Sequence, residues 1–442
     1  MRNQDVVSKW SRMVVAALLS LAILQTPTVG RYELGERLKT LDRLWLVTKE
    51  EEVRRKAVTH VSSAVNSFFM MRTSDACRAL DEAVAALEGR QPTPADAVVL
   101  RPSKRVFAPG EEVAIKVFFA YETTGTSPTV RLKGNECVPE QGQMTILTIS
   151  PESLPREDAD IALEANLGGK TRLVRFSIVR DLDARLARIK ASTSRMARDL
   201  AEGIESALPE QGETILPIAK MLKSAEALDS QRTAVSEVEE VFYARQGSTI
   251  LRAFVPKSAN KSATVVIALH GAGGSENLFF EGYGAGLAVS EARRRGWVLL
   301  SPRATPNAAK DVLKWLEEVR EIKPTRLFVM GHSMGGALAL GTGELKPAAI
   351  ALFAPAARTI PENLVQTPIF LAVGKQEMMM LRTGALALAE LVKKRGVFKE
   401  YDPCEHLMIV AEALPDAFRF FAEQQSGIEG SGRDPKTGDQ RP

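Results

Sequence analysis

Cysteine is scarce in this chain and long runs of one charge are absent, and each absence excludes a class of protein. The three cysteines, Cys77, Cys137 and Cys404, are too few for a disulfide scaffold and do not have the spacing of zinc ligands. In an oxidising compartment Cys77 and Cys137 could pair, and three free thiols are the equal alternative. The formal net charge is only +4 and no basic block is present, so the sequence does not predict nucleic-acid binding.

Nothing else in the composition is unusual. With 45% hydrophobic and 25% charged residues, the chain has the make-up of an ordinary globular protein. Its 442 residues predict two or three domains, because a single core rarely grows beyond about 250–300 residues.

The first thirty residues have the order of a secretory signal. Basic residues precede an apolar run over residues 13–24, and turn-forming residues follow up to Gly30. The run is too short to cross a bilayer, which takes about 20 residues. We therefore expect residues 1–30 to be a signal peptide and the mature chain to be secreted or periplasmic. An uncleaved anchor and a soluble core helix are the alternatives.

The part that follows predicts helices around a small β domain. Residues 31–95 carry apolar side chains at three- and four-residue spacing, which is typical of amphipathic helices. Residues 96–180 contain short alternating runs separated by turn residues, which predict an antiparallel β-sandwich with immunoglobulin-like architecture. Residues 181–233 return to helical spacing, and we expect them to link the sandwich to the next domain or to lie across it.

From residue 234 to residue 424 the pattern alternates between strand and helix. The apolar runs predict a doubly wound, mostly parallel sheet that is buried on both faces, so the expected fold class is α/β. The predicted strands are Ser248–Val255, Ala263–Leu269, Trp297–Ser301, Arg326–Met330, Ala349–Phe353 and Pro368–Val373. The tail, residues 425–442, is rich in glycine and charged residues, and we expect it to be disordered.

The strongest catalytic signal is the sequence Gly331-His-Ser333-Met-Gly335. It matches the G-x-S-x-G nucleophile elbow, and it lies between an apolar strand and a helical stretch, as that turn requires. The turn lifts a serine above the edge of the sheet and directs the N-terminus of the next helix at it. Ser333 is therefore the predicted nucleophile.

A second signal is the glycine-rich turn Leu269-His-Gly-Ala-Gly-Gly274, which ends another apolar strand. Glycines there let the backbone approach a reacting carbonyl group. We expect an oxyanion hole formed by the N–H groups of Ala272 and Met334, with Gly273 as the alternative to Ala272. A phosphate-binding loop is the rival interpretation, but the turn lacks the lysine and the glycine spacing of such loops.

The general base follows by elimination among four histidines. His270 belongs to the oxyanion turn, His332 belongs to the elbow, and His60 precedes the sheet. The remaining one, His406, follows the last long strand and is the predicted base that takes the proton of Ser333.

The third member of a triad would be a carboxylate that orients the histidine ring. Glu377 follows the strand that ends at Val373 and is the expected acid. Asp402 is the alternative, because it lies close to His406 in the sequence.

The order of serine, acid and histidine in these contexts resembles the α/β-hydrolase family over roughly residues 237–424. The motifs LHGAGG, FFEGYGAG, GHSMGG and EHLM are most similar to secreted esterases of the polyhydroxybutyrate-depolymerase and feruloyl-esterase-like group, and next to prolyl-oligopeptidase-like hydrolases. The resemblance implies the same roles for Ser333, His406 and the two oxyanion donors. In that group the acid is usually Asp, whereas this chain has Glu377.

These observations lead us to expect a secreted serine hydrolase that cleaves small or polymeric carboxylic esters through an acyl-enzyme. No metal or organic cofactor is expected, and the mature chain is not expected to be an integral membrane protein. A prolyl-oligopeptidase-like peptidase is one alternative, although residues 31–233 are too short for a propeller and lack its repeats. The other alternative is a catalytically inactive binding module that keeps the hydrolase fold.

The stretch between the strands that end near Ala354 and begin near Pro368 is too short for an inserted lid. Any cover over the site must therefore come from residues 31–233 or from the loop over residues 275–285, and an uncovered site would suit accessible or bulky esters. That loop contains three aromatic residues, and we expect them either to line an acyl pocket or to pack against the sheet. They are Phe279, Phe280 and Tyr283.

Cleavage of the signal predicts that secreted material has the mass of a chain that begins near Arg31. Intact-mass spectrometry of the periplasmic or medium fraction checks this, with whole cells of the same culture as the control. Secreted protein that still contains Met1 would contradict it.

Overall fold

The computed structural model describes most of the chain between the two termini. The predicted signal peptide, apart from residues 28–30, lies outside the described residues, as does the predicted tail beyond residue 429. The described ranges are residues 28–209, 212–230, 242–259, 261–393 and 395–429.

Amphipathic helices come first, and their apolar faces turn towards the large sheet of the later part. These helices are α1 (Arg31–Val47), α2 (Glu51–Phe69) and α3 (Thr73–Leu87), with the single turn α4 (Pro94–Ala97) after them. Trp45 of α1 and Val61 of α2 share one apolar core with Val266 and Phe328 of the sheet. Helices and sheet are therefore one packed body rather than separate units.

Two sheets follow, and their inner faces share a second apolar core. The strands are β1 (Val98–Pro102), β2 (Val106–Phe107), β3 (Val113–Phe119), β4 (Val130–Leu132), β5 (Asn135–Cys137), β6 (Thr145–Ile149), β7 (Ala159–Leu167) and β8 (Lys170–Ile178). One sheet has the order β1-β3-β6 and the other β2-β8-β7-β4-β5. All pairs are antiparallel except β2 with β8. The immunoglobulin-like architecture stays a prediction.

The predicted linker forms helices that pack on the large sheet. They are α5 (Leu182–Lys190), α6 (Arg195–Ala207) and α7 (Ile218–Asp229). Leu200 and Leu222 lie in one core with Leu251 and Val265 of the sheet. The indole of Trp315 also donates a hydrogen bond to Asp199 (3.0 Å), so this layer is fixed by polar contacts as well.

The large sheet has the order β16-β15-β14-β13-β11-β12-β10-β9. Its strands are β9 (Phe242–Gln246), β10 (Thr249–Phe254), β11 (Ser262–Leu269), β12 (Val298–Pro302), β13 (Lys323–His332), β14 (Ala349–Phe353), β15 (Ile369–Gly374) and β16 (Val397–Tyr401). Neighbours are parallel from β12 to β16, and β10 is antiparallel to both of its neighbours. The carboxyl ends of β11, β13 and β15 therefore meet at one edge of the sheet.

The sequence pattern missed the two edge strands, β9 and β16. The side chains of β16 are all at least partly exposed, so its sequence lacks the continuous apolar run that identifies a buried strand. The strands that were predicted are present with small shifts at their ends.

Helices cover both faces of the sheet. They are α8 (Leu287–Arg295), α9 (Ala308–Arg320), α10 (Met334–Leu340), α11 (Met379–Val392) and α12 (Met408–Glu429). Along β11, Val265 and Ile267 face one core while Val266 and Ala268 face the other, as the two-residue period of a strand requires. Helix α12 continues past the predicted domain end at residue 424.

The structure has three free thiols, so Cys77 and Cys137 are not joined. Burial raises the pKa of Cys77 to about 11, which makes this thiol unreactive at neutral pH. Among the described residues, no helix is both long and apolar enough to cross a membrane.

A buried ion pair joins α1 to α3 and generates a stability prediction. Arg37 Nε lies 2.8 Å from Asp81 Oδ2, and both side chains are 5% exposed. Arg37→Met should lower the free energy of unfolding by about 3–5 kcal/mol, because it leaves a buried carboxylate without its main partner. Urea unfolding followed by fluorescence measures this change.

The matched control removes an exposed pair. Lys310→Met breaks the surface contact with Glu344 and should cost less than about 1 kcal/mol. Equal losses in the two variants would contradict the prediction.

Candidate active site

The elbow places Ser333 in a strained backbone conformation between β13 and α10. Its φ is 53° and its ψ is −117°, a backbone conformation that residues other than glycine rarely adopt. The turn is so tight that a Cβ on Gly331 would lie 2.2 Å from the carbonyl oxygen of Gly335, and one on Gly335 would lie 2.0 Å from that of Leu269. Only glycine fits at these two positions. Ser333 itself is almost wholly buried.

The structure brings His406 and Glu377 together. The distance from His406 Nδ1 to Glu377 Oε2 is 3.0 Å. The other carboxylate oxygen, Glu377 Oε1, accepts a hydrogen bond from the Met378 N–H (2.8 Å). The carboxylate is thus held by the backbone on one side and the imidazole on the other. Ser333 and His406 line one pocket, and the structure has no hydrogen bond between their side chains.

Asp402, the alternative acid, points elsewhere. Its carboxylate accepts hydrogen bonds from Lys375 (3.3 Å), Gln376 (2.9 Å) and Arg55 (3.2 Å) at the surface. Gln376 also accepts a hydrogen bond from the Cys404 N–H (2.7 Å). These contacts tie the loop that carries Glu377 to the loop that carries the histidine.

The predicted oxyanion donors lie on two sides of the serine. Ala272 is in the turn after β11, and Met334 is the first residue of α10, where a helix leaves its N–H groups without internal partners. Within the described ranges, the N–H groups of Ala272, Gly273 and Met334 have no hydrogen-bond partner. The φ of Gly273 is +73°, which favours glycine there. The turn therefore presents free backbone donors to the pocket.

A chain of hydrogen bonds connects this turn to the histidine loop. The N–H of Gly271 donates to Tyr283 Oη (3.4 Å), which lies 2.7 Å from His332 Nδ1. His332 Nε2 lies 2.8 Å from the carbonyl oxygen of His406 and donates to it. Burial lowers the pKa of His332 well below its ordinary value, so this ring is neutral. Sequence reasoning assigned no such role to Tyr283 or His332.

The other two histidines lie outside the pocket. His270 Nε2 accepts a hydrogen bond from the Ala304 N–H (2.8 Å) and fixes the turn to the neighbouring strand end. His60 pairs with Glu82 (3.0 Å) on the helical surface. Among the described residues, no group of three His, Cys, Asp or Glu side chains is arranged to hold a metal ion.

Comparison with known proteins gives matches only among solved structures. No protein-family model matches the sequence, and no curated protein matches it. Est1E from Butyrivibrio proteoclasticus is 16% identical over 42% of this chain and 99% of its own, with a TM-score of 0.35. A ferulic acid esterase is 15% identical over 42% of this chain and 96% of its own, also with a TM-score of 0.35. An S-formylglutathione hydrolase from Agrobacterium tumefaciens is 15% identical over 42% of this chain and 94% of its own, with a TM-score of 0.34.

Each of these three solved structures is similar to 42% of this chain and to nearly the whole of its own length.

Helices α1–α3 cover the pocket at Ser333. A pocket of about 160 Å³ lies above Ser333, and much of its wall comes from these helices. The site is therefore partly covered, although no lid is inserted after β14. The cover comes from within residues 31–233, one of the two sources that the sequence allowed. The lining residues from the helices include Leu34, Leu38, Val65, Phe68, Phe69 and Leu80.

The aromatic residues near the predicted loop have different positions. Phe279 and Phe280 are buried in the core between sheet and helices and do not line the pocket. Tyr283 does line it, and its ring packs edge-on against Phe279 with centroids 4.9 Å apart. No local signal could have found the leucines and phenylalanines of the helices, because more than 200 positions separate them from the elbow.

Two carboxyl groups are buried behind the histidine. Glu405 accepts hydrogen bonds from the N–H groups of Leu407 and Met408 (2.9 and 2.8 Å) at the start of α12. Burial raises its pKa to about 7, although those hydrogen bonds oppose the shift. Burial also raises the pKa of Asp42 of α1 well above its ordinary value, and Asp42 Oδ2 has no hydrogen-bond partner. Both carboxyl groups are buried away from solvent, and this favours their protonated form.

The raised pKa of Glu405 predicts a pH dependence of stability. Between pH 4.5 and about 7 the folded protein keeps a proton that the unfolded chain has lost, so the free energy of unfolding falls as the pH rises through that window. Glu405→Gln keeps an acceptor for the helix and should remove this fall, which amounts to about 3 kcal/mol at most. Urea unfolding at a series of pH values measures it.

The matched control is Glu423→Gln, on the exposed side of α12, the helix that follows Glu405. It should keep the pH dependence of the wild type. A Glu405→Gln protein with an unchanged slope between pH 4.5 and 7 would show that burial does not hold the proton.

Proposed function

We propose that this protein is a serine hydrolase of carboxylic esters that works through an acyl-enzyme on Ser333. The observation that carries the proposal is the arrangement at one sheet edge. A serine in a strained elbow shares a pocket with His406, whose Nδ1 lies 3.0 Å from Glu377. Free backbone N–H groups border the same pocket. A nucleophile, a base, an orienting acid and oxyanion donors are thus present together.

In the proposed mechanism Ser333 Oγ attacks the carbonyl carbon of the ester while His406 Nε2 takes the hydroxyl proton. The N–H groups of Ala272 and Met334 stabilise the oxyanion, and such a donor is worth about 3–4 kcal/mol. The C–O bond to the alcohol then breaks, and His406 gives its proton to the leaving alcohol. Water attacks the acyl-enzyme with the same base, the acid is released, and Ser333 regains its proton. Glu377 keeps the imidazole oriented throughout.

We also propose that the protein acts outside the cytoplasm. The order of basic, apolar and turn-forming residues over residues 1–30 supports this location. The peptidase alternative has no support from the described residues, where residues 31–209 form helices and two small sheets.

Ser333→Ala and His406→Ala should abolish labelling by a fluorophosphonate probe. They should also lower kcat on short-chain p-nitrophenyl esters by about 10⁴- to 10⁶-fold, because the nucleophile and its base act as a unit. Fluorescent gels and initial rates on folded protein measure both effects. A folded wild type that neither labels nor turns over any ester would favour the inactive binding module.

The acid is tested by a matched pair of isosteric variants. Glu377→Gln should lower kcat by about 10²- to 10⁴-fold, because the imidazole loses the carboxylate that orients it. Asp402→Asn should stay within about threefold of the wild type, because the amide oxygen can still accept the surface hydrogen bonds of Lys375 and Gln376. Near-normal turnover of Glu377→Gln would remove Glu377 from the triad.

A further inference from the structure

The pocket above Ser333 has an apolar wall that comes from outside the sheet. Leu34 and Leu38 of α1, together with Leu80 of α3, line it beside the oxyanion turn. Phe68 of α2 lies directly over that turn, since a Cβ on Gly273 would be 2.5 Å from its ring. A substrate at Ser333 therefore touches side chains that belong to the N-terminal helices.

The two sides of the pocket can be told apart by the chemistry of the reaction. The leaving alcohol must lie near His406, because this residue protonates it. On that side the ring centroid of Phe69 is 6.4 Å from the imidazole, and Leu407 completes the wall. The acyl group must then extend away from His406, beyond the oxyanion turn.

Three leucines line the pocket beside that turn, Leu278 from the segment after it and Leu34 and Leu38 from α1. Leu278 packs against the turn, because a Cβ on Gly274 would lie 2.4 Å from its Cδ1. The side chains of Leu278 and Leu38 both pack against Gly282, where an added Cβ would be 2.8 Å and 3.6 Å from them. The acyl side is thus a slot between α1 and the segment that follows the oxyanion turn.

A charged cluster lies at the wall of the same pocket. Lys39 Nζ lies 3.0 Å from Glu281 and 2.8 Å from Thr214 Oγ1, and all three residues line the pocket. Arg252 holds Glu281 from the other side at 2.6 Å. Because these groups satisfy one another, displacing them with an alkyl chain would leave charges without partners, which is unfavourable. The apolar slot therefore has a definite end.

We propose that Leu38, with Leu34 and Leu278, forms the acyl-binding slot, and that the enzyme prefers esters of short apolar acids. The inference rests on the proposed function and names its substrate class. The pocket of about 160 Å³ is close to the roughly 150 Å³ cavity that holds one benzene molecule. Because the acyl and alcohol sides share that volume, the slot takes only a short acyl group. Longer chains meet the Lys39–Glu281 cluster.

The experiment measures acyl-chain preference in three variants and the wild type. Leu38 is partly exposed towards the pocket, so Leu38→Trp fills the slot without overpacking a closed core, and Leu38→Ala enlarges it. Leu46→Ala, on the same helix but outside the pocket lining, is the matched control. The readout is kcat/KM for p-nitrophenyl esters from acetate to decanoate, expressed as the ratio to acetate.

A second readout is the rate of labelling by alkyl fluorophosphonates of increasing chain length. In that reaction Ser333 Oγ bonds to phosphorus, fluoride leaves with the P–F electron pair, and the hydroxyl proton passes to His406. The alkyl group on phosphorus takes the place of the acyl chain, so this series reports on the slot even where ester turnover is slow.

The wild type should prefer butyrate or hexanoate and lose at least tenfold by decanoate. Leu38→Trp should lower the hexanoate-to-acetate ratio at least tenfold, Leu38→Ala should move the optimum to longer chains, and Leu46→Ala should keep the wild-type ratios. Labelled, active variants whose ratios all stay within twofold of the wild type would overturn the slot alone. A folded wild type that no probe labels would overturn the proposed function, and the slot with it.

Discussion

The packing of helices α1–α3 on one face of the large sheet is the contact on which the candidate site depends. Trp45 and Val61 share a core with strand residues, and the indole of Trp45 donates a hydrogen bond to Glu412 of α12 (2.6 Å). The same docking brings Phe68 over the oxyanion turn and Leu38 beside it. Because the helices are also joined to the β-sandwich by Glu33 and Arg101 (2.7 Å), their position is fixed from both sides. The cover is thus part of the packed fold.

The backbone turns at Ser333 and after β11 were predictable because their constraints are local. A serine with positive φ needs small residues two positions away, and that requirement leaves a short, readable signature around Ser333. A turn that exposes free N–H groups needs glycine beside them, as at Gly273. Backbone geometry of this kind depends on a few consecutive residues, so a single sequence was enough to predict both turns.

The walls of the pocket were not predictable for the opposite reason. Leu38 and Phe68 are apolar residues of amphipathic helices, and nothing in their spacing distinguishes a residue that faces a cavity from one that faces a core. Of the two carboxylates considered as the acid, the expected one, Glu377, contacts the ring of His406, whereas Asp402, which is nearer in sequence, faces solvent. Distances set by tertiary packing decided each of these cases.

The hydrogen-bond chain from Gly271 to His406 has a fixed polarity. It begins at a backbone N–H and ends at a backbone carbonyl oxygen, and neither group can exchange its role. The phenol of Tyr283 and the ring of His332 must therefore each accept on one side and donate on the other. Only a side chain that can both accept and donate satisfies that order, so a residue at position 332 that can only donate or only accept would break the chain whatever its size. At this position the fold constrains the direction of hydrogen bonding more tightly than it constrains volume.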